Sequence, residues 1–456
     1  MAADRHIIHR LVLEIEVPDR AMADPATDRI VHLLHHDLLP ELEKYLDALD
    51  VAGHLLIDNL TVDVGRVPTD QLESFTEKLI DALPAAMESS GIEPAATGAQ
   101  GAVQQLLSRP DKAFRTFCYF LETGRLAWHT HPQEDWLHDE SVWLGLLNPV
   151  LATTSNRITL QNLLYRSDAA VHRLLSQFTP WFASRIIERL KNKPEGYLQL
   201  TIQKLFINNR IHKHIQQADP RSDTTYPPFE KTFLLLVLFD RQPEKAAPLM
   251  LASIDIPDAE EPTVATLLRH LKAPEETEGK SPPPDGLTDP DGLAIDHAGL
   301  VILHPFLQYF FTDFGLVTET DFVDEPARQL AVHLLHYLAT GRTEPAEYEL
   351  TFEKFLCSWP DAQPMERFIA IPQRMCEEAD NLLKAVIGYW PALKSTSPDG
   401  LREGFLIRSG KLVTSETPAV VHVERNTVDI LLGALPWGLG VIKLPWISEP
   451  FYVDWP

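Results

Sequence analysis

Tyr119-Phe120-Leu121-Glu122-Thr123-Gly124-Arg125 and His336-Tyr337-Leu338-Ala339-Thr340-Gly341-Arg342 are the two stretches on which the reading of this chain turns. Each brings an aromatic-Leu pair to the end of an amphipathic run and follows it with Thr, Gly and Arg. A glycine just past the last apolar residue can take the left-handed conformation that closes a helix, because it has no Cβ to meet the carbonyl. Gly124 and Gly341 are therefore expected to be helix stops, with Arg125 and Arg342 leading the chain away. Two copies are too few for a solenoid. They indicate either two related helical regions or one kind of helix end used twice.

Working outward, the helical pattern fills most of the chain. Residues 103–271 read as a helical domain of short amphipathic pieces, such as 171–178 and 233–239, and 294–397 as a second, with helices at 298–314 and 325–338. Before them, residues 1–89 read as a β-α-β-α module. Leu11, Leu13, Ile15 and Val17 alternate with Val12, Glu14 and Glu16, the period of a strand. Val31, Leu34, Leu38, Leu42, Tyr45 and Leu49 make a helical stripe that Pro40 is expected to kink or split. Leu60, Val62 and Val64 alternate with Asn59, Thr61 and Asp63 in a second strand ended by Gly65. Leu72, Phe75, Leu79, Ile80 and Leu83 mark the next helix after Asp70-x-x-Glu73. Residues 90–102 are a linker by composition, and 272–293, with Pro282-Pro283-Pro284-Asp285-Gly286 and several acids, are an acidic Pro-rich one.

After Pro398 the pattern turns to strands. Residues 405–413 read as a hairpin around Ser409-Gly410 and Val420–Ile430 as a further strand. The 398–456 segment then closes on Pro436-Trp437, Lys443-Leu444-Pro445-Trp446 and Phe451-Tyr452-Val453-Asp454-Trp455. Aromatic rings of this size bury about 150–250 Å² each. Trp437, Trp446, Phe451, Tyr452 and Trp455 are expected either to pack the core of this β-rich segment or to serve as anchors for a partner, with Trp455 inserted into a neighbour. The fold class expected is α+β, predominantly α-helical.

Composition narrows the function. The chain has 456 residues and a formal net charge of −25, with 45% hydrophobic and 23% charged residues. That length predicts several domains. The acidity disfavours nucleic acid and anionic lipid, both of which need a cationic face. Mean hydropathy is −0.12 and no apolar run reaches about 18 residues, so no membrane span is expected. Met1-Ala2-Ala3-Asp4-Arg5-His6 has no apolar signal core. Cys118, Cys357 and Cys376 are too few and scattered for a disulfide framework, which fits a reducing cytoplasm.

His6-Ile7-Ile8-His9-Arg10 leading into the first strand, Leu38-Leu39-Pro40, and Ile57-Asp58-Asn59-Leu60-Thr61-Val62-Asp63-Val64-Gly65 carry a resemblance. So do Phe120–Arg125, Ala298–Leu307, Tyr337–Arg342 with Tyr348-Glu349-Leu350, and the closing aromatic stretch. In this order and spacing, from residue 6 to 455, they resemble the tape measure proteins of contractile injection systems, the extracellular phage-tail-like particles of bacteria. The resemblance implies a non-enzymatic assembly protein that governs tube and sheath assembly or length from the baseplate end. It implies tube, baseplate or spike proteins as partners, with self-association left open, and a cytoplasmic location during assembly with incorporation into the particle. His9 and Arg10 would mark the start of the first strand. A single continuous helix of this length would span about 680 Å, but 36 prolines and two linkers exclude such a rod.

Against this stand two rivals. A soluble acidic scaffold or chaperone for other subunits or cargo suits the charge. A metal-dependent hydrolase would have to use Trp128-His129-Thr130-His131-Pro132 with Glu134, Asp135 and His138, the densest polar cluster. His32-x-x-His35-His36 places imidazoles one turn apart but has no third ligand nearby. His212-x-His214 and His333-x-x-His336 read as ordinary helix residues. The chain contains no phosphate loop, dinucleotide fingerprint, zinc-protease motif or nucleophile elbow. Cys357, beside Phe355, Leu356 and Trp359, reads as a buried apolar residue. No catalytic, cofactor or metal residues are assigned.

Overall fold

The computed structural model describes most of residues 29–48, 54–89, 104–200 and 292–455, with isolated residues elsewhere. The chain divides into two compact units. Met1–Phe117 with Leu126–Val150 form the first, and Cys118–Arg125 with Leu151–Pro456 the second.

In the first unit a π-helical turn, Leu34–Leu38, runs directly into helix α1, Leu39–Asp47. Pro40 does not split the segment. It sits in the first turn of α1, where its missing N–H costs least. The wider turn before it, closed by Leu39 N–H on the Leu34 carbonyl, absorbs the irregularity. Helix α2, Ser74–Ser89, faces α1 across a small core of Leu38, Leu42, Leu79 and Leu83.

Leu60, Val62 and Val64 lie on this core while Thr61 and Asp63 are exposed. Yet this stretch is not the strand that its alternation predicts. The paired strand comes earlier, β1 (His54–Ile57), running antiparallel to β2 (Gln104–Leu107) with His54 opposite Leu107. Alternation reports which side chains are buried; a strand also needs a neighbour for its backbone. Leu11–Leu13 are likewise irregular, and residues 14–17 and the linker at 90–102 lie outside the described residues. Further on, helix α3 (Arg109–Thr123) and helix α4 (Glu140–Leu151) bring Trp143 edge-on to both Phe117 and Trp136, at 5.7 and 5.2 Å.

The second unit is mainly helical. Helices α5 (Thr154–Arg166), α6 (Asp168–Ser176) and α7 (Pro180–Leu190) follow one another closely. Ser167 caps α6 by accepting from Ala170 N–H, and Thr179 caps α7 by accepting from Phe182 N–H. Most of 201–291, including nearly all of the expected acidic linker, lies outside the described residues. The chain resumes with strand β3 (Leu293–Ile295), a 3-10 segment (Ala298–Leu303) and helix α8, His304–Asp313. The core is then built on α9 (Glu325–Thr340), against which α10 (Thr351–Leu356) and α11 (Gln373–Tyr389) pack. A short helix α12 (Pro398–Leu401) leads to the sheet.

That sheet has five strands in the order β3-β4-β5-β7-β6, with β4 at Gly410–Val413, β5 at Val420–Val423, β6 at Val441–Ile442 and β7 at Phe451–Asp454. Only β5 and β7 run parallel. Leu412, Val421, Ile442, Phe451 and Val453 face the core while Lys411, His422, Tyr452 and Asp454 are exposed, the period of two expected of a half-covered sheet.

Two expectations need correction. Arg402–Leu406 form a π-helical turn continuing α12, with Phe405 against Trp390 at 4.7 Å, so the hairpin is β4–β5 and not 405–413. The strand from Val420 stops at Val423, because Asn426 and Asp429 make a capping box that starts a 3-10 helix, Thr427–Ala434. The class stands as mainly helical α+β. Among the described residues no helix is long and apolar enough to cross a membrane.

Candidate functional sites

Of the five closing aromatic residues, four lie in or against the core of the second unit. Trp446 stands 5.5 Å from Phe311 and 5.1 Å from Phe322, and its indole N–H donates to the Leu356 carbonyl at 2.7 Å. Trp455 donates to Asp429 at 3.1 Å under the Arg408 guanidinium. Phe451 packs edge-on to Phe355, and half-buried Trp437 donates to the Ile302 carbonyl. Each buried indole N–H has a partner, as burial requires. Tyr452 is different: it is 45% exposed, directly opposite Val441, which is 58% exposed on the edge strand β6. Lys443 is exposed between buried Ile442 and Leu444.

The two Thr-Gly-Arg helix ends both take the left-handed stop, with φ of +77° at Gly124 and +73° at Gly341. In each, the glycine N–H bonds back four residues at 2.7 Å, to Phe120 and to Tyr337. The threonine hydroxyls bond back to Tyr119 and His336, both at 2.8 Å, and accept from the following arginine N–H. An arginine from a distant segment then satisfies the last helix carbonyls. Arg173 donates to Leu121 and Glu122 at 3.1 and 2.8 Å; Arg402 donates to Leu338 at 3.2 Å. Arg125 itself pairs with Asp361, and Arg342 with Glu349.

Arg173 anchors a fully buried network. It holds Glu347 through two bonds at 3.0 and 3.2 Å and also reaches the Ala362 carbonyl, so all five of its N–H donors are used. Lys354 donates to the same carboxylate at 2.6 Å and to the carbonyls of Asp361 and Gln363. Burial depresses the Lys354 ammonium, and Glu347 holds it up only in part. Gln177 accepts from Glu347 N–H and donates to the Met365 carbonyl, each at 2.8 Å.

The histidines singled out from the sequence scatter. His9, Arg10 and Trp128 lie outside the described residues. His32 and His36 are exposed with ring centres 4.3 Å apart. His138 bonds the Pro132 carbonyl at 2.9 Å, and Glu134 is occupied by Lys112 and the Trp136 indole. Instead, among the described residues, the group of His, Cys, Asp or Glu donors close enough to share a cation is His297, His336 and Glu353, within 4.8 Å of one another. His297 Nδ1 lies 2.6 Å from Glu353 Oε1, and His336 Nδ1 lies 3.6 Å from the same oxygen. For Glu353, burial pushes the carboxyl up, but the charge and hydrogen bond of His297 and the nearness of His336 take it down to about 2. Burial lowers the His297 imidazole and Glu353 more than reverses that. No sequence spacing links positions 297, 336 and 353, and the His333-x-x-His336 pair reads from sequence as ordinary helix residues.

The geometry thus defines a mainly helical α+β protein whose distinctive Arg, Gly and Trp residues hold its own elements together. The chain belongs to the contractile injection system tape measure protein family, whose model matches residues 5–455. No curated protein and no solved structure matches it.

Proposed function

We propose that this chain is a non-enzymatic assembly protein of a bacterial contractile injection system, acting from the baseplate end to govern tube and sheath assembly or length. The family match over residues 5–455 is the observation that carries the reading. Short helices with tight stops, together with 36 prolines, do not suit a continuous helical ruler. Length would have to come from unfolding of the chain, from stacked copies or from its extension inside the tube. The partners are tube, baseplate or spike proteins of the particle, met in the cytoplasm during assembly. Tyr452 and Val441 are the docking residues this reading favours, because Trp446, Phe451 and Trp455 are engaged inside the fold. A second reading, a scaffold for other subunits or cargo, is favoured by the charge of −25, which keeps a binding factor dispersed.

Electron microscopy of particles tests both. Deleting the gene should abolish sheaths or destroy their uniform length, and restoring it with long insertions at 272–293 should lengthen them. Loss of assembly without any length change on insertion points to the scaffold. Normal particles on deletion overturn both.

A further inference from the structure

We propose that His297, His336 and Glu353 form a binding site for a first-row divalent transition-metal ion of the zinc type, acting as a structural staple inside the second unit. Three separate elements supply the donors. His297 immediately precedes the 3-10 segment Ala298–Leu303, His336 stands on the last turns of α9, and Glu353 is on α10. All three are closed off from solvent, at 4%, 0% and 0% exposure.

What calls for a ligand is the state of the polar atoms. The His297–Glu353 bond uses one nitrogen and one oxygen. Both ring nitrogens of His336, and Glu353 Oε2, are buried with no hydrogen-bond partner. A buried polar group left unpaired is destabilising, and nearly all such groups in folded proteins find a partner. An imidazolium–carboxylate pair alone therefore does not account for the cluster. A cation shared by His297, His336 and Glu353 would engage one of the orphaned His336 nitrogens and draw on the half-used Glu353 carboxylate, and one donor atom from each of the three residues already lies within 4.8 Å of the others.

The donor set fits. Two imidazoles and one carboxylate are borderline ligands that select Zn²⁺ or Fe²⁺ over Mg²⁺ or Ca²⁺. Tetrahedral ligation at about 2.0–2.1 Å places donors about 3.3 Å apart. The 2.6 Å and 3.6 Å separations bracket that value, so on binding the His297–Glu353 pair opens by about 0.7 Å and the His336–Glu353 pair closes by about 0.3 Å. The two rings already stand at 76° to each other with centres 5.1 Å apart, splayed and not stacked. Asp296 and Glu349 add negative field at His297, which favours a cation over a neutral guest. The ion would tie the chain emerging at residue 297 to α9 and α10. Metal binding of that kind couples directly to folding.

The test uses the full chain, stripped with EDTA and titrated with ZnCl₂ by calorimetry, alongside thermal melts and zinc-edge X-ray absorption of the loaded protein. The expected result is one equivalent of zinc and a melting temperature raised by about 4 °C or more at hundredfold excess over Kd. The absorption shell should hold two imidazole nitrogens and a carboxylate oxygen, without sulfur. His336→Gln and Glu353→Gln should each lose the equivalent, while the His32→Ala/His36→Ala double variant keeps it. Absence of binding, loss of zinc in the double variant, or retention in both glutamine variants overturns the site. Should the glutamine variants fail to fold, the absorption shell of the wild-type chain decides: sulfur or a single imidazole overturns the proposal.

Discussion

The helix ends at Gly124 and Gly341 share one backbone device and sit in opposite surroundings. At Gly124 the capping arginine and its carboxylate, Arg173 and Glu347, are both fully buried. At Gly341 the arginine is Arg402, 8% exposed, and its carboxylates are Asp380 at 35% and Asp399 at 80%. A Cβ at Gly124 would lie 2.5 Å from Glu347 Oε1 and 3.0 Å from Arg173 Nε. One at Gly341 would come no closer than 3.6 Å to Arg402. Local sequence therefore sets the helix stop, and the tertiary environment sets how much each stop tolerates.

The largest separation between the two should come from their carboxylates. Glu347→Ala leaves Arg173 and Lys354 buried without a counter-charge and should cost about 3–5 kcal/mol. Asp380→Ala, with water and Asp399 beside Arg402, should cost about 1 kcal/mol or less. Urea denaturation of the full chain, followed by tryptophan fluorescence, reads both. Equal losses would break the comparison.

Next is Gly124→Ala. The left-handed φ alone costs about 1–2 kcal/mol for a residue with a Cβ. Here the Cβ must also displace the Arg173–Glu347 pair, so the total should reach about 3 kcal/mol. Combining Gly124→Ala with Glu347→Ala sharpens the point, because the obstacle is gone in the double variant. The two losses should then sum to more than the measured total. Strict additivity would mean that the clash contributes nothing.

These differences also mark where the sequence stops being legible. The stops at Gly124 and Gly341 could be read because a left-handed closure needs one glycine at one local position. The arginines that cap them could not, since Arg173 reaches back 51 residues to Glu122 and Arg402 64 residues to Leu338. In the first unit, Leu60, Val62 and Val64 announced a buried face correctly, but whether a strand forms depends on a partner the local pattern does not contain. The capping box Asn426-x-x-Asp429 was present in the sequence and was masked by the β-branched run around it. His297, His336 and Glu353 meet only because the 3-10 segment, α9 and α10 converge.

Gly341→Ala comes third, at about 1 kcal/mol. Its Cβ finds ordinary contact distances, leaving only the backbone penalty. Thermal melts of the Gly124→Ala and Gly341→Ala variants side by side give the ratio directly. A loss at Gly341 as large as that at Gly124 would show that the backbone and not the buried pair controls both.

The smallest effect is a pH dependence at the second helix end. Glu349, 15% exposed, receives Arg342 and the Ala346 N–H at 2.8 Å. Burial pushes its carboxyl up, but the Arg342 hydrogen bond and charge prevail and hold it below its ordinary 4.5. Between the folded value and about 4.5 the unfolded chain binds more protons, so stability rises with pH across that window. The contribution is complete above about pH 5 and is lost as pH falls through the folded value. Arg342 is half exposed, so solvent screens much of the pair and the change should be well under that at Gly341. Glu349→Gln should flatten the acid limb of stability measured between pH 6 and pH 3 relative to wild type, with the curves becoming parallel above pH 5. If the variant keeps the full acid slope, the proton uptake belongs to other carboxylates and Arg342 is an exposed tether with no electrostatic part in closing the helix.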